Sequence, residues 1–186
     1  MDDLSIKVNK DLELRLLALE DAEELFELTQ QNRNNLREWL SWLDENRTVE
    51  DTKKFIQGGL DRFEGESGME LGIWYKGQLA GCIGLPQLKM DHKKAAIGYW
   101  LAEKFQGVGI MTSVVRTLVS YLFTKLKLNR VEINCATGNE KSCAIPEKLG
   151  FKSEGIVRQA EWLYDHFVDW NKYSILASEW SQKPLD

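Results

Sequence analysis

The stretch Gln106-Gly107-Val108-Gly109-Ile110-Met111 joins two different patterns. Before it, Ala95-Ala96-Ile97-Gly98-Tyr99-Trp100-Leu101 is strand-like. After it, Met111, Val114, Val115, Leu118, Val119, Leu122, Phe123 and Leu126 recur at i, i+3, i+4 and i+7, the pattern of a helix lying on a sheet. Glycines at 107 and 109 let the backbone turn tightly and let a ligand approach with no Cβ in the way. The first turn of a helix carries unpaired N–H groups at the positive end of its dipole. Strand, glycine turn and helix start together suit a diphosphate. Taken alone, the hexapeptide fits equally well a strand-to-helix connection that uses glycine only to turn.

Downstream, Arg130-Val131-Glu132-Ile133-Asn134-Cys135 reads as the next strand. Residues 95–135 are then a strand–helix–strand crossover whose strands run parallel. Such a pair leaves a gap through which a ligand can enter. Residues 139–149 read as a short helix stopped by Gly150, and 151–157 and 167–176 as a closing pair of strands. Glu161-Trp162-Leu163-Tyr164-Asp165-His166 is placed between them, and the last few residues read as a loose tail.

Upstream, Leu12-Glu13-Leu14-Arg15-Leu16 alternates as a strand does, and residues 21–32 have helical spacing with acidic residues in the first turn. Leu36, Trp39, Leu40, Trp42 and Leu43 form an apolar patch that either covers the core or walls a substrate cleft. Thr48, followed by Glu50 and Asp51, reads as the N-cap of a helix that turns Phe55, Ile56, Leu60 and Phe63 inward and ends near Gly65. Residues 69–75 and 78–85 are strands joined by a hairpin at Lys76-Gly77, and 86–93 is polar and loop-like. The architecture expected is one α/β domain over residues 1–186. Its central sheet is mixed but mostly antiparallel, with about seven strands and helices on both faces.

A chain of 186 residues, 43% apolar and with three prolines, can bury a sizeable core and is not compositionally disordered. Its formal charge of -5 argues against a nucleic-acid backbone as partner and is compatible with a cationic substrate such as an amine. Cys82, Cys135 and Cys143 have no metal-type spacing and read as reduced thiols, which suits the cytoplasm. With two histidines in the chain, a His-rich metal site is not expected. No apolar signal region opens the sequence, and no segment is long and apolar enough to span a membrane.

The order of elements, with a Gln-Gly-x-Gly turn after the fourth strand, resembles the GNAT superfamily of acetyl-CoA-dependent N-acetyltransferases. That family's pyrophosphate signature, Gln/Arg-x-x-Gly-x-Gly/Ala, is matched at Gln106 and Gly109, while Met111 departs from it. Three further runs are similar to the RimL-type branch. They are Leu36-Arg37-Glu38-Trp39-Leu40-Ser41-Trp42, then Asn139-Glu140-Lys141-Ser142 with Lys148-Leu149-Gly150-Phe151, and Arg158-Gln159-Ala160-Glu161.

The resemblance implies acetyl-CoA as cosubstrate. Backbone N–H groups of Gln106, Gly107, Val108, Gly109, Ile110 and Met111 would bind its pyrophosphate. The backbone of Tyr99, Trp100 and Leu101 would pair with the pantetheine arm, as an added strand pairs with a sheet edge. Asn139 would contact that arm, or cap the helix it opens. Acetyl transfer to an amine, by direct attack through a tetrahedral intermediate, needs an amine proton acceptor, an oxyanion donor and a donor for the departing thiolate. Many GNAT enzymes supply the last from a tyrosine where this chain has Pro146. Ser142 resembles the serine assigned that role in RimL-type enzymes, and otherwise is an ordinary first-turn serine. Glu161 is the candidate base, directly or through water, and otherwise a solvated loop carboxylate. With Trp39 and Trp42 it also makes the candidate acceptor site.

An α-amine has a pKa of about 7.7–8.0 and a lysine amine about 10.4, so deprotonation at pH 7 costs roughly 1 kcal/mol for the first and nearly 5 for the second. A modest base suits the first. The resemblance points the same way, to the N-terminal α-amine of a ribosomal protein. The alternatives are a small amine (antibiotic, polyamine or amino acid) and a non-catalytic CoA-binding module. The resemblance also implies a homodimer.

Overall fold

The computed structural model describes residues 4–180, so the expected C-terminal tail lies outside the described residues. One eight-stranded sheet runs through the molecule in the order β1-β2-β3-β4-β5-β6-β8-β7. The strands are β1 (Ser5–Lys7), β2 (Leu12–Leu16), β3 (Met69–Tyr75), β4 (Gln78–Lys89), β5 (Lys94–Leu101), β6 (Arg130–Ala136), β7 (Lys152–Leu163) and β8 (His166–Leu176). The helices are α1 (Ala22–Gln31), α2 (Arg33–Arg37), α3 (Val49–Glu64), α4 (Ile110–Thr124) and α5 (Glu140–Lys148). Every neighbouring pair of strands is antiparallel except β5 and β6, which are parallel as the crossover predicts.

Three boundaries differ from the sequence reading. The strand count is eight rather than about seven, because β1, too short to show a period, pairs with β2 from Ser5 opposite Arg15 to Lys7 opposite Glu13. The 86–93 segment is not all loop. β4 continues to Lys89 by shifting register between Gly84 and Gln87, a bulge that accommodates Pro86 without a ladder N–H. The 161–166 segment is not a loop either: β7 runs to Leu163 and turns back into β8 at Tyr164-Asp165. Glu161 therefore stands on a strand, opposite Val168, beyond a second bulge between Val157 and Glu161.

The two sheet faces are read off consecutive residues of β5. Trp100 shares a hollow with Leu25 and Thr29 of α1 and Phe55 of α3. Tyr99, one residue earlier and thus on the opposite face, hydrogen-bonds to Ser142 of α5. On the second face α4 buries Val114, Val115, Leu118, Val119 and Leu122 completely, each contributing about 1.5–3 kcal/mol by leaving water. On the first face, α3 starts with the expected cap: Thr48 Oγ1 accepts from the Asp51 N–H at 3.2 Å, and Asp51 Oδ2 accepts from the Thr48 N–H at 3.0 Å. Ile56 of α3 is buried as expected, but Phe55 is not: it stacks on Trp42 at the surface, 6.4 Å between centroids. Phe55 lies about 100° round the helix from Ile56, at the rim of the buried face, where Trp42 meets it.

Candidate active site

The parallel ladder of β5 and β6 is short. It runs from Lys94 opposite Arg130 to Ile97 opposite Ile133 and then stops, while both strands continue. Residues 98–101 of β5 keep their pairing with β4 but have none with β6. This is the gap the sequence suggested, with one strand edge of backbone N–H and C=O groups facing it.

The glycine turn lies just beyond this edge. Gly107 and Gly109 adopt φ of 78° and 82°, and a Cβ on either would meet no atom within 4 Å. Their need for glycine is therefore conformational, and the space above them is open. Gly109 is the N-cap of α4, so the first-turn N–H groups of Ile110 and Met111 have no acceptor within the helix. Met111 points into the core, 7% exposed, so its departure from the family signature does not crowd the turn. Gln106 Nε2 donates to the Leu101 carbonyl at 2.9 Å and ties the turn back to the end of β5. Val108, 71% exposed, stands at the rim. The pieces fit the diphosphate and arm of acetyl-CoA: an open cradle of N–H groups at a helix start, continuous with an unpaired strand edge.

Across the gap, Asn139 caps α5 through Oδ1, which accepts from the Ser142 N–H at 3.1 Å, and its amide nitrogen keeps its donors. Ser142 Oγ lies 3.4 Å from Tyr99 Oη and 3.4 Å from Cys135 Sγ, and Tyr99 Oη donates to the Ser142 carbonyl at 3.0 Å. Burial, and then the neighbouring Cys135 sulfur, hold the Tyr99 phenol well above its usual pKa. Burial likewise pushes the Cys135 thiol up to about 12. Near neutral pH both keep their protons, leaving Ser142 among neutral groups. Cys135 was not singled out for this site by the sequence; its alternation with Ile133 on the inward face of β6 is the signal that could have placed it. The three cysteines are all free and buried.

Glu161 sits on the other sheet face, half-buried. Its Oε1 accepts from Ser41 Oγ at 2.8 Å and its Oε2 from Trp170 Nε1 at 3.2 Å. Neither partner was anticipated; 120 residues separate Ser41 from Glu161 and no periodicity links them. Val168, the partner of Glu161 across the hairpin, lines an open groove of about 670 Å³ together with Arg37, Trp39, Asp44 and Tyr164 among others; Glu161 itself is not on the groove wall. Trp39 spans from this groove towards Gly138, where its Cη2 stands 3.5 Å from where a Cβ would be. Trp42 is not on that wall: it stacks on Phe55 and shares the hollow with Trp100. The structure thus brings Trp39 and Glu161 to one side of the gap, and Ser142, Asn139 and Tyr99 to the other.

Residues 11–152 match the family model of the acetyltransferase (GNAT) domain. The chain is 42% identical over 176 residues to a Bacillus subtilis (strain 168) protein provisionally named ribosomal N-acetyltransferase YdaF, covering 94% of this chain and 96% of the other. It is 32% identical over 170 residues to the ribosomal-protein-serine acetyltransferase of Escherichia coli (strain K12), covering 91% and 95%. Among solved structures, RimL, the ribosomal L7/L12 alpha-N-protein acetyltransferase in complex with coenzyme A, superposes with a TM-score of 0.90 at 29% identity, covering 93% and 98%. No helix among the described residues is long and apolar enough to cross a membrane.

Proposed function

Because this chain belongs to the GNAT acetyltransferase family and is an acetyl-CoA-dependent N-acetyltransferase of RimL type, we propose that its acceptor is the N-terminal α-amine of a protein, a ribosomal protein first among them. The observation that carries the proposal is the setting of Glu161. Its carboxylate is held by two neutral donors, Ser41 and Trp170, and its strand partner Val168 lines an open groove. At pH 7 an α-amine with a pKa of about 8 loses its proton to solvent for roughly 1 kcal/mol and a lysine amine at about 10.4 for nearly 5, so the first asks much less of a carboxylate so placed. The groove is open at its surface, which admits a chain end. The names of the relatives in Bacillus subtilis and Escherichia coli, and of RimL, support the same acceptor.

The residues then divide the work as follows. N–H groups from Gln106 through Gly107, Val108 and Gly109 to Ile110 and Met111 hold the diphosphate, and the free edge at Tyr99, Trp100 and Leu101 holds the pantetheine arm, with Asn139 facing it. Glu161 accepts the proton of the acceptor ammonium, directly or through water. The freed nitrogen attacks the thioester carbonyl carbon, and backbone N–H groups near residues 99–101 stabilise the oxyanion. As the carbon–sulfur bond breaks, the Ser142 hydroxyl gives its proton to the departing sulfur and is restored by the second proton that the nitrogen sheds, through solvent, as the amide forms. Trp39 walls the acceptor groove, while Trp42 stacks on Phe55 away from it.

We read residues 1–186 as one such domain, supported by a single sheet from Ser5 to Leu176. A cytoplasmic site of action goes with the three free thiols, and a homodimer with the exposed Ile156 and Val157 on the edge strand β7. The small-amine reading draws on two likenesses: the microcin C7 self immunity acetyltransferase MccE, in complex with acetyl-CoA and AMP, superposes with a TM-score of 0.88 at 34% identity, covering 91% of this chain and 94% of that one, and the spermidine N(1)-acetyltransferase of Escherichia coli (strain K12) is 29% identical over 93 residues, 50% of this chain and 47% of the other. Thiol release from acetyl-CoA, measured over a panel of serine-initiated peptides, spermidine and free amino acids, separates the two. Peptides should lead in kcat/KM; a small amine leading by tenfold or more would overturn the proposed acceptor.

A further inference from the structure

Glu161 is gripped from two elements that the chain makes far apart. Trp170 belongs to β8, the strand paired with β7, so its indole N–H comes with the sheet. Ser41 comes from the connection between α2 and α3, which crosses the β7–β8 hairpin as a strap. We propose that Ser41 is a positioning residue for the acetyl-transfer base, its hydroxyl fixing the plane of the Glu161 carboxylate from the strap. This rests on Glu161 being the base.

The strap is firmly built. Arg33 donates to the Leu43 carbonyl at 2.6 Å and to the Asn46 carbonyl at 3.0 Å. Arg37 grips Asp44 with two nitrogens, at 2.9 and 2.8 Å, and lies over the Tyr164 ring at 3.9 Å. Tyr164 Oη donates to the Leu40 carbonyl. Leu43 is fully buried. The strap is thus fastened to the hairpin by Tyr164, independently of Ser41. The Ser41 hydroxyl is not needed to hold it down, which leaves the carboxylate as the group that depends on it.

A glutamate side chain turns about three bonds, and one hydrogen bond to a terminal oxygen leaves the carboxylate plane free to rotate about it. Donors to both oxygens from opposite sides remove that freedom. Each oxygen still has a second lone pair, so a held Oε1 can receive a proton from the acceptor. Orientation of this kind is worth about 10- to 100-fold in rate where a reacting group would otherwise be displaced by an ångström. Trp39 of the same strap meets Gly138 next to Asn139, so the segment that places the base also borders the donor side.

The test compares Ser41→Ala, Ser41→Thr, Glu161→Gln and the Ser41→Ala/Glu161→Gln double variant, with acetyl-CoA and a serine-initiated peptide, or spermidine if the small amine leads. Ser41→Ala should lower kcat about tenfold while KM for acetyl-CoA stays within about twofold and the melting temperature is unchanged. Ser41→Thr should restore most of the rate. In the Glu161→Gln background the Ser41→Ala change should cost less than about twofold, because there is no base left to position. Ser41→Ala at the wild-type rate, or losses that multiply in the double variant, would overturn the inference. A Glu161→Gln protein as fast as wild type would instead remove the base itself, a separate failure.

Discussion

Ile97 of β5 and Ile133 of β6 form the last rung of the parallel ladder, and beyond them the two strands run on unpaired with each other. The rung sets the depth of the gap. Below it the sheet is closed and the core continuous; above it one edge of β5 is free as far as the strand's end, just before the glycine turn.

The turn itself is tested by Gly109→Val. At φ 82° a β-branched residue is strained although there is room for its side chain. The backbone must move, and its N–H groups with it. CoA should bind at least tenfold more weakly by calorimetry, with α4 still formed by circular dichroism. Unchanged CoA affinity would mean that the diphosphate lies elsewhere.

Ser142 is tested by Ser142→Ala. Its backbone N–H still reaches Asn139 Oδ1, so the cap of α5 survives. The hydroxyl within 3.4 Å of Tyr99 and Cys135 is what is lost. kcat should fall by about tenfold or more, with CoA affinity and melting temperature close to wild type. Wild-type turnover would leave Ser142 as a first-turn serine with no part in thiolate departure.

A stability prediction comes from the far side of the sheet. Arg130 donates to both Glu154 oxygens, at 2.7 and 2.5 Å, and Ser174 Oγ donates to one of them at 2.7 Å. The Arg130 hydrogen bonds first, and Ser174 second, draw the Glu154 carboxyl down to about 2. Because the folded pKa is depressed, the contribution is present above the unfolded value of about 4.3 and is lost as pH falls towards 2. The pair is partly solvated, which holds its worth to about 1 kcal/mol. Glu154→Gln should lower the melting temperature by about 2–4 °C at pH 7, and the difference from wild type should close between about pH 4 and pH 2. A difference independent of pH would assign the loss to packing.

The elements of the candidate donor half were legible in the sequence and those of the candidate acceptor half were not. The 106–111 turn, the strand before it and the helix after it are contiguous, so local pattern places them together, as it does Asn139 and Ser142 on one helical turn. Glu161 was picked out by resemblance but assigned to a loop, because Gln159 and Gly155 with positive φ and two register shifts break the alternation that marks a strand. Its partners lie on other elements: Ser41 on a strap with no period, and Trp170 on a strand whose tryptophan has the same local signal as any core residue. Trp39 and Trp42 are three residues apart on a short helical stretch and its turns, where a small change of direction sends one to the groove and the other to Phe55.

Which nitrogen is acetylated can be measured directly. A serine-initiated peptide with an internal lysine is incubated with the protein and acetyl-CoA, and the acetyl group is located by fragmentation mass spectrometry, with an N-terminally blocked copy of the peptide alongside. Acetyl on the α-nitrogen of the free peptide and none on the blocked copy is the predicted result. Acetyl on the lysine of both peptides at equal rate would contradict it.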